Sequence, residues 1–264
     1  MNETGENNNG ARLTVLDEML KTLPGEPVLV RDVRTGPFLT IVCVDGGTSS
    51  LSGLAPGCGL ASTLASHEHG GKKSVREIGN LENLTAQDLA GYLKSDIPLE
   101  ASIGIATLNA MLEVPAFCFE AKSAIEMVVE RGRNRRVAVV GHFPFVERLR
   151  KEVGELDVLE LKEIPGDLPS SRAKEVLPRC DVIVLTATVL MNGTYHDILP
   201  LCSQAFTVMM GPSTPASPKL WDYGVNVLAG STVIKPEECI RAVSQGAGYR
   251  DLTGAKKWTW IHAS

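Results

Sequence analysis

The sequence has few aromatic residues (5% of 264), no excess of positive charge, no closely spaced cysteine pair and no long hydrophobic run. Each absence removes a class of protein. Lys and Arg number 26 against 31 Asp and Glu, giving a net charge of -5, so no broad basic field exists to neutralise a phosphate backbone, and nucleic acid is not expected as a partner. No window approaches the roughly eighteen apolar residues of a membrane span. The opening MNETGENNNG lacks the basic start and apolar stretch of a signal peptide, so a cytoplasmic protein that keeps away from membranes is expected. Cys43, Cys58, Cys118, Cys180, Cys202 and Cys239 form no C-x-x-C, and several lie in apolar runs, where a reduced cysteine behaves as a small hydrophobe in a reducing compartment. Also missing are a P-loop, a G-x-S-x-G elbow and an H-E-x-x-H helix; His67-Glu68-His69 is not the last of these.

What is present is the composition of an ordinary globular chain, 44% hydrophobic and 22% charged, long enough for one large or two modest domains. Leu13, Val15, Leu16, Met19 and Leu20 are spaced for one face of a helix that Pro24 and Gly25 end. Residues 28–44 read as two β-rich runs joined around Thr35, Gly36 and Pro37, an antiparallel hairpin. From Gly46 to about Glu100 a Gly- and Ser-rich loop precedes candidate helices, with Thr85 as N-cap. Further helices are expected over Ile103–Leu112 and Ala121–Arg131. From Arg136 the pattern changes to short runs that are apolar on both faces (VAVVG, VLEL, DVIVLTA, FTVMMG, VNVLAG), separated by helix-length segments. Such runs predict parallel strands covered on both sides. The fold class is therefore α/β: an N-terminal α+β module over residues 1–102, then a doubly wound parallel sheet over 103–264.

In open sheets of this kind ligands bind beyond the carboxyl ends of the strands. The first run ends in Gly141-His142-Phe143-Pro144, one glycine where a dinucleotide site wants three. Glu163 follows Gly141 by 22 residues, the place of a ribose-binding carboxylate. After the third run come Thr186 and Thr188, then Asn192-Gly193-Thr194 leading into a short helix, a cap or an anion site. The fourth ends in Gly211, Pro212, Ser213, Thr214 and Pro215, a stiff turn that displays hydroxyls and amides. Ser231 and Thr232 close the fifth. A metal would turn on Cys58, His67, His69 and the nearby Glu68 and His142, since the two histidines of H-x-H share one side of an extended segment. His196 and His262 read as surface or capping residues.

Taken in order, VGHFPF, ELKEIPGDLP, CDVIVLTATVLMNGT, GPSTP and GVNVLAG resemble the putative heavy-metal chelation family, formerly a domain of unknown function. The resemblance implies a module like the enolase N-terminal domain joined to a Rossmann-like domain, with a site in the interdomain cleft. The ligand would be a divalent heavy metal or a metal-chelating small molecule. It points to Gly141, His142, Pro144, Glu163, Thr186, Asn192, Thr194 and Gly211 to Pro215, with Asn109 as a polar residue facing the cleft from an apolar helix. Two functions stand open: a protein that binds or processes a small polar metabolite connected with metals, and a transferase using a nucleotide-type cofactor such as S-adenosylmethionine. Enolase chemistry is discounted, because that fold carries no metal-binding carboxylates of its own. Trp258 and Trp260 could anchor a homo-oligomer or close the core.

Overall fold

The structure, a computed structural model, describes residues 14–46, 57–64, 74–162 and 164–263. Helix α1 (Val15–Leu20) starts at Thr14, whose hydroxyl accepts from the Asp17 N–H while the Asp17 carboxylate accepts from the Thr14 N–H, so two amides left without helical partners are satisfied. Strands β1 (Val30–Thr35) and β2 (Leu39–Val44) form the expected hairpin, and β3 (Gly57–Ser62) adds to it antiparallel. Helix α2 (Ala86–Gly91) has the same capping device at Thr85, and α3 (Pro98–Met111) follows.

The strand β3 departs from the loop expected there. GCGLAS has low strand propensity because glycine contributes no packing side chain. Tertiary contact supplies what propensity does not. A Cβ on Gly59 would lie 2.0 Å from the Ala106 carbonyl oxygen and 2.3 Å from the Ala110 nitrogen, so the glycine is what lets α3 lie directly on the strand. The expected boundary at 102/103 falls inside α3, which is one unbroken helix packed on β2, β3 and α2.

The second half contains α4 (Ala124–Gly132), β4 (Arg136–Val140), α5 (Val146–Glu152), β5 (Glu155–Glu160), the short β6 (Leu168–Pro169), α6 (Ala173–Val176), β7 (Val182–Thr186), α7 (Tyr195–Ile198), β8 (Phe206–Met210), β9 (Val225–Val233), α8 (Pro236–Ser244) and β10 (Ala255–Ile261). The sheet order is β10-β9-β8-β7-β4-β5-β6, parallel throughout except for β10, which runs antiparallel to β9. Both faces are apolar for the expected reason. Val137, Val139, Val182 and Val184 pack under α4 and α5, while Ala138, Val140, Ile183 and Leu185 join a core continuous with α1, α2 and α3. Helix α8 crosses back to cover the outer face of the hairpin through Cys239 and Val243. Trp258 is 3% exposed and lies where a Cβ on Gly230 would reach its ring at 2.4 Å, so it closes the core. Trp260 makes edge contacts with Trp221 and Phe117. Among the described residues no helix is long and apolar enough to cross a membrane.

Candidate functional site

The chain enters the large sheet at β4, builds outward through β5 and β6, then returns to the other side of β4 as β7. At that reversal the loops leaving β4 and β7 diverge and leave a crevice beyond their carboxyl ends. A cleft of about 540 Å³ lies there. Val140, Leu159, Val189, Ile198 and Leu201 supply its apolar lining, and Glu160, Ser170, Ser171, Lys174, Thr186, Thr188, Asn192, Thr194 and Asp197 its polar groups.

Gly141 begins the first loop at φ +97°, a conformation that disfavours any side chain, and a Cβ there would meet Thr186 Cγ2 at 2.8 Å. Its N–H donates to the Leu159 carbonyl at 2.8 Å. The next N–H, of His142, donates to Glu160 Oε2 at 2.8 Å, and the Leu161 N–H donates to Glu160 Oε1 at 2.8 Å. Two loop amides are thereby committed to protein acceptors, which removes the cradle that a dinucleotide pyrophosphate would need. The His142 ring meets Asp167 through Nδ1 at 2.6 Å, and the Asp167 carboxylate, 3% exposed, is also 3.6 Å from Arg150. The imidazole orientation is thus set by a buried carboxylate.

In the third loop the Thr186 and Thr188 hydroxyls are 3.0 Å apart. Asn192 Oδ1 accepts from the Thr194 N–H at 3.1 Å and from its hydroxyl at 2.7 Å, the turn that leads into α7. Thr186, Asn192 and Thr194 therefore share the cleft with Gly141 and His142, whereas Pro144 follows in the first loop without lining it.

The fourth loop does not share it. Ser213 and Thr214 are 1% and 2% exposed, and the Ser213 hydroxyl accepts from the Ser62 N–H of β3 at 2.8 Å. The Gly211 to Pro215 turn is a joint between the two halves: the Ser213 hydroxyl is engaged there, and the Thr214 hydroxyl is buried, without a hydrogen-bond partner among the described residues, rather than displayed. Asn109 does not reach the cleft either: its Nδ2 donates to the Leu60 carbonyl at 2.9 Å and ties α3 to β3 within the first half. Among the described residues the cleft is lined by positions between 140 and 201, at the switch point of the large sheet. Glu163, His67, Glu68 and His69 lie outside the described residues.

Cys58 is corrected as a metal ligand. It stands opposite Cys43 in the β2–β3 register, where the two Cβ atoms are neighbours, and the pair forms a disulfide. The expectation of six reduced cysteines does not hold for these two. Cys118, Cys180, Cys202 and Cys239 are buried, and burial pushes the thiols up to about 11 for Cys118, Cys180 and Cys239 and to about 12 for Cys202. They are neutral at physiological pH and out of reach of an ion. Native protein is expected to leave a thiol reagent unreacted, unfolded protein to expose these four, and unfolded, reduced protein to expose the Cys43–Cys58 pair as well; rapid labelling of the native state would contradict the burial. Among the described residues no three His, Cys, Asp or Glu side chains converge as metal ligands. The donor set of the cleft is one imidazole with oxygen donors, which does not suit a soft metal held by protein alone.

Glu160, Asp167, Ser170, Ser171, Lys174 and Asp197 were not singled out by the sequence. Glu160 had a signal: it is the last residue of the second parallel strand, nineteen residues after Gly141, and fits the ribose-carboxylate spacing as well as Glu163 does.

Residues 123–260 match the family model DUF364 and residues 16–112 the model DUF4213, both described as putative heavy-metal chelation. No curated protein matches the chain significantly. A crystal structure of a DUF364-family protein of unknown function from Desulfitobacterium hafniense DCB-2 is similar with a TM-score of 0.76 and 26% identity, over 94% of this chain and 97% of that one. One from Pyrococcus horikoshii, also of unknown function, has a TM-score of 0.75 and 22% identity over 94% and 98% of the two chains, a likeness of fold.

Proposed function

The chain belongs to the DUF364 family, described as putative heavy-metal chelation, and from that premise we propose that it binds a small hydroxylated chelating molecule in the switch-point cleft and meets heavy metal as that molecule's complex. One observation carries the reading. Every cysteine among the described residues is either buried or in a disulfide, whereas the cleft offers carboxylate, hydroxyl, amide and ammonium groups over an apolar lining. That is the equipment for a polar organic ligand. A chelator supplies most of the donors to its own metal, so the protein needs only to recognise the organic frame.

Thermal unfolding of the full chain tests this with Zn²⁺ or Ni²⁺ alone, with nitrilotriacetate, citrate or 2,3-dihydroxybenzoate alone, and with each metal–chelator pair. At a ligand concentration near 100 times Kd the gain is about 2.7 kcal/mol, a rise of several degrees for a domain of this size. The rise is expected with at least one chelator or its complex, and is expected to vanish when Ser171, exposed at the mouth of the cleft, is replaced in Ser171→Trp. Stabilisation by the bare ions only, unchanged by that substitution, would sink the proposal.

The second reading, a nucleotide-type cofactor such as S-adenosylmethionine, is favoured by the position of Glu160 at the end of the second parallel strand. The committed amides of Gly141 and His142 narrow it to a nucleoside without a pyrophosphate.

A further inference from the structure

The geometry points to Glu160 as a preorganised acceptor for a vicinal diol, two neighbouring hydroxyls on one ligand; this inference rests on the ligand-binding reading above and names the chemistry that the cleft selects. Glu160 ends β5, half-buried at the cleft wall. Each of its carboxylate oxygens already accepts one backbone N–H at 2.8 Å, from His142 and from Leu161. Those two bonds come from different loops, and they fix the carboxylate in position and plane. An ionised carboxylate has about four acceptor sites, so each oxygen keeps one for a ligand. Two fixed, parallel acceptors on one rigid group match two adjacent O–H donors as a bidentate pair, with no rotamer entropy left to lose. Neutral donors fit better than an anion here, because the acceptor is itself negative.

The rest of the cleft is consistent with an aromatic ring or base bearing that diol. Leu159 and Val189 give it apolar contact, and Lys174, which makes no ion pair among the described residues, offers a cation for a ligand carboxylate. Two sources carry the chemistry, a catechol such as 2,3-dihydroxybenzoate and the ribose of a nucleoside. The catechol uses both Glu160 and Lys174, and it binds there as the metal-free chelator, because metal coordination removes the protons that its two hydroxyls donate.

Isothermal titration of the full chain separates these outcomes. One arm compares 2,3-dihydroxybenzoate with 3-hydroxybenzoate, the other adenosine with 2′-deoxyadenosine. In the arm that matches the natural ligand the diol is expected to bind at least about tenfold more tightly than its one-hydroxyl partner, the effect of losing one hydrogen bond to a charged acceptor. Glu160→Gln should bring that ratio close to one. If Glu160→Gln does not fold, the comparison of ligands on the unaltered chain still decides. Equal binding of diol and one-hydroxyl compounds, no binding of either, or a ratio that survives Glu160→Gln overturns the inference. If nitrilotriacetate or citrate binds and is lost in Ser171→Trp while diols show no preference, the ligand-binding function stands and the diol inference falls.

Discussion

Gly59→Ala is expected to destabilise the protein by about 3 kcal/mol or more, at the upper end for overpacking. The added Cβ would sit 2.0 Å from the Ala106 carbonyl oxygen, 2.3 Å from the Ala110 nitrogen and 2.7 Å from the Asn109 carbonyl carbon. All three are backbone atoms of a buried helix, so no side chain can swing aside, and α3 has to move away from β3 as a unit. That movement also pulls on the Asn109 bond to Leu60 and on the neighbouring joint between Ser62 and Ser213. Gly91→Ala is the control. It sits at the end of α2 with nothing within 4 Å of its Cβ position and without a positive φ, so the gain in helix propensity should leave stability unchanged or raise it by about 0.5 kcal/mol. Urea unfolding followed by circular dichroism measures both; equal midpoints for the two variants would refute the close approach of α3.

The second large effect concerns Arg76 and Glu100. Burial of the Glu100 side chain, which has no exposed surface, works against its ionisation, but the Arg76 guanidinium bonds both its oxygens and the Arg76 N–H bonds one at 2.6 Å. These bonds, with a further one from the Ser95 side chain, outweigh burial, and the net shift is below the ordinary value of 4.5. A carboxyl whose pKa is depressed by folding contributes stability that is present above its unfolded value and is lost as pH falls through the folded one. Arg76→Met leaves a buried carboxylate without its counter-charge, at a cost of about 2–3 kcal/mol at pH 7, less than for a fully buried pair because Arg76 itself is 59% exposed. In that variant burial dominates and raises the Glu100 pKa, so the deficit should narrow as pH falls and the carboxyl is protonated. Urea midpoints taken from pH 7 down to pH 4 check this. A deficit constant over that range would mean that the pair does not hold Glu100 ionised.

The hairpin, the cap at Thr85 and the five parallel strands were legible because each depends on local pattern: alternation, a hydroxyl before a helix, a run apolar on both faces. β3 was not, because its strand state depends on Gly59 admitting a helix 47 positions later at Ala106. Glu160 was not singled out for a similar reason: spacing admits Glu160 and Glu163 alike, Glu163 lies outside the described residues, and the two amides that converge on Glu160 come together only in the fold. The Gly211 to Pro215 turn looked like a display of donors, and in sequence nothing separates a hydroxyl facing a ligand from one facing another segment. Ser213 faces Ser62, 151 residues away.

The scarcity of positive charge, of closely paired cysteines and of long apolar runs only excluded classes of protein, whereas the short runs apolar on both faces, alternating with helix-length segments, determined by themselves an α/β chain with a doubly wound sheet. Which loops form one cleft, which cysteines pair and which carboxylate is held by two backbone amides were decided only by the tertiary structure. Composition and period are summed along the chain, whereas a site is made of directions and distances between segments that the chain brings together only on folding.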